Sequence, residues 1–297
     1  MAITTTSVLG DTLPTIISEA RFTEQFKAIL RGLCWVIQKK LHSGTTVNLP
    51  YWGTVTAAAL TEAVDMASPS SMADTNVQFT PAEVGCQILI TDKVVRDNQE
   101  DVLRAAGRIL GDAMATKMDQ DLWGQLDDAT TSLGGSTTTL TLGMLAAANA
   151  LLEGNAVGSG GPAPKPYAAV IHPYVLLDIV DVLTPLLATT TATYQGITAG
   201  GGIVDDMLRK YLSGSLFGMP VFSDGNTAPV SSAIKNGVFA TGRGGGLVLA
   251  VADEWDIKPQ RDESLRATEL NIVGEYAVGE YLAGWIVELH TDATTPA

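Results

Sequence analysis

Residues 97–127 read DNQEDVLRAAGRILGDAMATKMDQDLWGQLD. Asp97 is a suitable helix cap, and Glu100 stands three residues on, where a side chain can reach back to that cap. Val102, Leu103, Ala106, Ile109, Leu110, Ala113, Met114, Met118, Leu122 and Leu126 follow at steps of mostly three and four. That period gathers apolar side chains on one helical face. The stripe predicts one helix to Asp127, about 29 residues and about 43 Å long, against a usual mean of about 12 residues. Asp119 and Asp121 fall on nearly opposite sides of it and cannot share a cation.

The sequence ahead of this helix has a different period. Thr45–Pro50 alternates as a strand, and Val77–Thr80 and Val84–Thr91 form a second stranded run. Residues 51–76 between them are mostly small and polar, with little core material. Two strands joined by so long and thin a segment predict a hairpin projecting from the body, which needs a neighbour to cover it. Its charges are Glu62, Asp65, Asp74 and Glu83, all negative, whereas Lys93, Arg96, Arg104 and Arg108 follow at once. These two groups are the candidate inter-subunit contacts: the acidic loop of one copy would dock on the basic start of a neighbour's helix. Further upstream, residues 1–12 are Thr-rich and unpatterned, an extended arm. Ile16, Ile17, Phe22, Phe26, Ile29, Leu30, Leu33 and Val36 predict a helical face over Pro14–Lys40, interrupted near Gly32.

Downstream, helices and short strands interleave, which makes the class α+β. Residues 128–139 read as a Gly/Ser/Thr loop, Leu140–Leu152 as a helix, Tyr167–Ile171 as a strand and Pro173–Leu187 as a helix. Thr189–Gly202 is a core-poor loop and Ile203–Tyr211 a short helix. In Leu216–Asn226, Gly-Met-Pro is expected to set a bend before a strand whose Val221 and Phe222 are core. Strands at Gly237–Thr241 and Leu247–Ala252 lead to an alternating end, closing on Trp285–His290.

Composition excludes several functions. Of 297 residues, 46% are apolar and 17% charged, so the chain folds and its surface is poor in charge. Such a surface suits a protein held against copies of itself. The net charge is −14, with no Lys/Arg cluster beyond Lys39-Lys40, which excludes a sequence-specific DNA reader. Cys34 and Cys86 read as reduced, buried thiols rather than a disulfide framework. The N-terminus has no signal-peptide pattern, and no run approaches the ~20 apolar residues that span a bilayer.

A search for chemistry returns no catalytic residue, cofactor site or metal site. No Gly-Lys dipeptide occurs for a P-loop, no serine sits in GxSxG, and no HExxH is present. Gly158–Ala163 fits GxGxxA but runs into Pro-Ala-Pro-Lys-Pro where a helix should begin, so it reads as a loop. Gly242–Gly246 lies between strands and reads as a turn. His42, His172 and His290 are scattered, with His172 placed to satisfy a backbone group at a strand-to-helix corner.

The order of these parts resembles the major capsid proteins of tailed phages with the Hong Kong 97-type fold. Gly44–Pro50 is similar to that family's start of the extended E-loop, Asp97–Asp127 to its spine helix, and Val170–Asp178 to the strand and helix opening its A-domain. Gly214–Asn226, Thr241-Gly-Arg-Gly, Gln260-Arg-Asp262 and the last strand continue the likeness. The resemblance implies an N-terminal arm over 1–44, E-loop hairpin and P-domain strands over 45–92, and spine helix and P-domain over 93–139. An A-domain over 140–256 and a return to the P-domain with the C-terminal strand over 257–297 complete it.

The implied function is structural: many identical subunits assemble as hexamers and pentamers into an icosahedral virion shell around double-stranded DNA, touched non-specifically. The implied partners are a portal, a decoration protein and, since the chain starts directly with the arm, a separate scaffolding protein unless scaffolding is unnecessary. Assembly would take place in the bacterial cytoplasm, with no membrane. Residues 51–92 hold no lysine, so an isopeptide crosslink from that loop is excluded. Three rivals differ in what they predict. An encapsulin-like compartment would hold protein cargo, an α/β enzyme would be a small oligomer with a filled pocket, and a tail or decoration protein would show less of the long helix and mixed domain.

Overall fold

The computed structural model describes residues 28–40, 44–53, 55, 57, 59–62, 71–97, 102–154, 162–179, 214–227 and 229–294. The expectations for the arm, for Ile203–Tyr211 and for the 187–202 loop lie outside these residues.

The first three helices among the described residues are α1 (Ile29–Leu33), α2 (Asp92–Asp97) and α3 (Val102–Asp127). α3 is the long helix read from the sequence, 26 residues with Leu110, Met114, Met118, Leu122 and Leu126 among its buried positions. Its start differs from expectation. Asp97 closes α2 instead of capping α3. Ile109 also leaves the stripe, 59% exposed, because it sits one residue, or about 100°, from Leu110 on a 3.6-residue helix.

The helical face expected to run to Lys40 stops at Leu33. Cys34 is extended at φ −80°, ψ 167°, and β1 (Trp35–Gln38) follows. Consecutive aromatic and β-branched side chains favour a pleated, half-buried strand, and β1 finds its partner in the C-terminal half. It pairs in parallel with β10 (Leu247–Asp262), which pairs antiparallel with β11 (Ala267–Glu280), which in turn pairs with β4 (Ala82–Thr91). This four-stranded sheet is dominated by the β10–β11 ribbon. β10 runs unbroken across the boundary expected after residue 256.

A six-stranded sheet has the order β5-β12-β9-β6-β8-β7, from β5 (Thr131–Gly134), β6 (Tyr167–Ile171), β7 (Ser215–Leu216), β8 (Met219–Ser223), β9 (Ala233–Ala240) and β12 (Ile286–Asp292). β6 is buried at all five positions, as befits a strand covered on both faces. β5 corrects the reading of 128–139 as a plain loop: four of its residues pair in parallel with β12. α3 lies against both sheets. Where it crosses β9, Gly237 has no Cβ; one built there would stand 2.7 Å from Leu126 Cδ2. α4 (Leu142–Gly154) buries Leu145, Ala148 and Leu152 against the same core.

The bend in Leu216–Asn226 is also displaced from expectation. Phe217 and Gly218 carry φ of 52° and 79° between β7 and β8, whereas Met219 and Pro220 already belong to β8. Two central residues at positive φ make the hairpin turn whose twist suits flanking strands. Met219 is buried, while Val221 and Phe222 are half-buried against the core. Gly242–Gly246 is a turn between β9 and β10, closed by Gly245 N–H donating to Gly242 O at 2.9 Å.

Candidate assembly surface

The projecting hairpin is built as its sequence period requires. β2 (Val47–Trp52) and β3 (Asp74–Phe79) pair antiparallel from Val47–Phe79 to Trp52–Asp74. Their inward residues make a second small core of Phe79, Val248 and Ala250, ringed by Trp35, Ile37, Val47, Leu49 and Val77. Tyr281 ties this seat together. Its ring meets those of Trp35, Tyr51 and Trp285 at centroid distances of 5.5, 6.4 and 5.9 Å, edge-on or nearly so, an arrangement favoured by the ring quadrupole. The base of the hairpin is therefore fixed to the ribbon. Trp52, Leu60 and Met72 are 62%, 68% and 72% exposed, an apolar surface that no described residue covers.

The acidic candidates do not form one cluster. Glu62 is exposed in the segment beyond β2, and Asp74 opens β3, also exposed. Asp65 lies outside the described residues. Glu83 stands apart, on β4 directly opposite Glu275 of β11 and not on the hairpin. The basic candidates are closer to one another. Lys93 and Arg96 are exposed on α2, and Arg96 Nε donates to Asp97 Oδ1 at 2.9 Å. Arg104 and Arg108 are exposed four residues apart on α3, hence on one face, beside exposed Ile109.

Sequence reading missed what orients this basic surface. Arg261, on the far half of β10, grips Asp92 through both carboxylate oxygens, Nη1–Oδ1 2.5 Å and Nη2–Oδ2 2.6 Å. A two-point guanidinium–carboxylate contact fixes angle as well as distance, so α2 is aligned to the ribbon. Hydrogen bonds from Arg261, with Arg266 and Arg96 nearby, hold the Asp92 carboxyl below its usual range. Nothing local in the sequence links positions 92 and 261. Within its own segment Arg261 also meets Glu263, Nε to Oε1 at 3.3 Å, so local sequence offers it a nearer acid than Asp92.

Asp119 and Asp121 are separated as expected. Asp121 Oδ2 accepts from Tyr276 Oη at 2.7 Å and Oδ1 from Lys117 Nζ at 2.6 Å. Asp119 is wholly buried. His172 satisfies a backbone group, its Nδ1 accepting from Tyr174 N–H at 3.2 Å, and His42 lies outside the described residues. Both cysteines are free; Cys34 is buried, but Cys86, packed against the core from edge strand β4, is only half-buried. Burial pushes the Cys34 thiol up to about 12, which leaves it inert near neutrality. Among the described residues, no group of His, Cys, Asp and Glu could hold a metal ion, and no helix is long and apolar enough to cross a membrane.

A long helix between a β-ribbon and a mixed sheet, with a seated hairpin reaching outward, is a subunit built to be covered by other subunits. The family described as phage capsid protein matches residues 75–287. The chain belongs to the phage capsid protein family. Its fold is similar to the capsid of Ralstonia phage GP4, with a TM-score of 0.66 and 11% identity over 91% of this chain and 92% of that one. A Mycobacterium phage Che8 chain matches at 0.62, with 18% identity over 83% and 85%. A virus-like particle from Pyrococcus furiosus matches at 0.60, with 11% identity over 93% and 98%. No curated protein matches the chain in sequence. The capsid protein has the Hong Kong 97-type fold, and its role is structural: many copies build an icosahedral phage shell. The compartment-shell reading is not favoured, because the family match is to phage capsids.

Proposed function

We propose that the capsid protein closes its shell by laying the hairpin of one subunit on the basic α2–α3 surface of a neighbour. The observation that carries this reading is the hairpin itself, seated by Tyr281 at its base and exposing Trp52, Leu60 and Met72 beyond it. Glu62, Asp65 and Asp74 supply negative charge, and Lys93, Arg96, Arg104 and Arg108 the complementary positive charge. Exposed ion pairs contribute about 0–1 kcal/mol each, so burial of the apolar residues drives docking while the charges set its register. Glu83, on β4 beside the ribbon, would make its contact separately.

In this reading the four-stranded sheet with α3 is the P-domain, the six-stranded sheet the core of the A-domain, and β2–β3 the E-loop base. Subunits group as hexamers and pentamers, and closure of many modest interfaces gives stability that no single one supplies. A separate scaffolding protein, a portal and a decoration protein complete the particle, assembled in the host cytoplasm around double-stranded DNA. The net charge of −14 keeps that DNA contact non-specific.

Arg104→Glu with Arg108→Glu should leave the subunit folded by circular dichroism yet abolish shells in electron micrographs. Reversing the hairpin as well, through Glu62→Lys and Asp74→Lys, should restore some of them. Normal shells from the arginine double variant would contradict the proposal.

A further inference from the structure

Three separate parts of the chain meet at two buried carboxyl groups. Asp119, in the middle of α3, accepts from the backbone N–H groups of Ile29 and Leu30, each at 3.2 Å, and so caps the first turn of α1. Asp224, 2% exposed, follows β8. Asn226 joins the two: its backbone N–H donates to Asp224 Oδ1 at 2.9 Å and its Nδ2 to Asp119 Oδ2 at 2.7 Å. Gln120 Nε2 donates to Asn226 O at 2.9 Å, which fixes the turn against α3. Asp224 Oδ2 is buried and receives no hydrogen bond.

Among the described residues, the titratable and charged groups around the pair are His172, from the corner after β6, Arg31, from α1, and Cys34, which ends it. Arg31 reaches the other way, to Glu254 of β10 at 3.6 Å. Two buried carboxylates that no cation faces among the described residues disfavour double ionisation, and a proton bound between them supplies a donor for Asp224 Oδ2.

We propose that Asp119 and Asp224 share one proton and form a pH-sensitive latch, which fastens α1 to the long helix and to the turn after β8 while the proton is held and frees it when the proton is lost. This inference does not depend on the inter-subunit contact proposed above. Burial, with the Asp224 charge added, raises the Asp119 carboxyl to about 7, and burial raises Asp224 too. Both lie above their unfolded values, so the latch is tightest well below pH 7 and weakens as pH rises through about 7. Burial lowers the His172 imidazole, against the charge of Asp224, so it shifts in the opposite direction to the two carboxyls.

Hydrogen exchange of the full-length chain tests this, with sedimentation at each pH confirming an unchanged oligomer. The α1 amides should lose about tenfold or more of their protection between about pH 6 and pH 8.5, after correction for intrinsic exchange. Asp224→Asn and Asp119→Asn each remove one charge at nearly constant shape. Whichever folds should hold the protection level across that range, and His172→Gln should keep the wild-type step. Flat protection in the wild type, a step that survives either asparagine variant, or a step lost with His172→Gln would overturn the latch.

Discussion

The ring of Phe79 lies against Gly279 so closely that a Cβ built on that glycine would stand 2.5 Å from Phe79 Cε1 and 3.0 Å from Cδ1. Phe79 ends β3 and Gly279 is near the end of β11, so this contact seats the hairpin on the ribbon. Gly279→Ala forces Phe79 aside. Overpacking of this kind costs about 1–3 kcal/mol, and here it also tilts the element proposed to reach the neighbour. Thermal unfolding should show the loss, and assembly should fall further than the stability change alone explains.

Leu126 fills the space that Gly237 leaves open, 2.7 Å from where a Cβ would sit. Leu126→Ala should lower stability by about 2–5 kcal/mol, the range for buried leucines whose surroundings relax incompletely. Gly237→Ala should also destabilise. Combined, the two should be less damaging than their sum, because the new methyl occupies part of the vacated volume. A double-mutant cycle by denaturant unfolding reads this directly.

Asp92 and Arg261 make the acid response of the α2 surface predictable in sign. The Asp92 carboxyl is held low by Arg261, so its contribution is present above about pH 4, the ordinary carboxylate value, and is lost as pH falls through the lower folded value. Asp92→Asn should therefore be less stable than wild type near neutrality, with the gap narrowing under acid. Melting temperatures from about pH 6 down to about pH 3 check it. Asp119 and Asp224 push the other way, which separates the two contributions along the pH axis.

The long helix was legible because its apolar stripe repeats through seven turns, and no single residue decides it. Its start was not, since Asp97 suits a cap yet ends α2. β5 was hidden for a physical reason: Thr131–Gly134 becomes a strand through parallel pairing with β12, more than 150 residues away. The outer half of β10 failed similarly, because Asp253–Asp262 is polar and charged and its strand character comes from pairing with β11. In the candidate surface, the opposite charge of the two segments was readable as composition. The placement of Glu83 on β4 beside the ribbon, the Arg261 clamp and the burial of Asp119 depend on contacts between distant segments, which local periodicity does not carry.

The most direct measurement is electron microscopy of the full-length protein, expressed alone and passed through size exclusion. Closed shells or hollow tubes of many subunits are the expected result. A discrete small oligomer that forms no curved assembly, even at raised concentration or with a scaffolding protein added, would contradict the account.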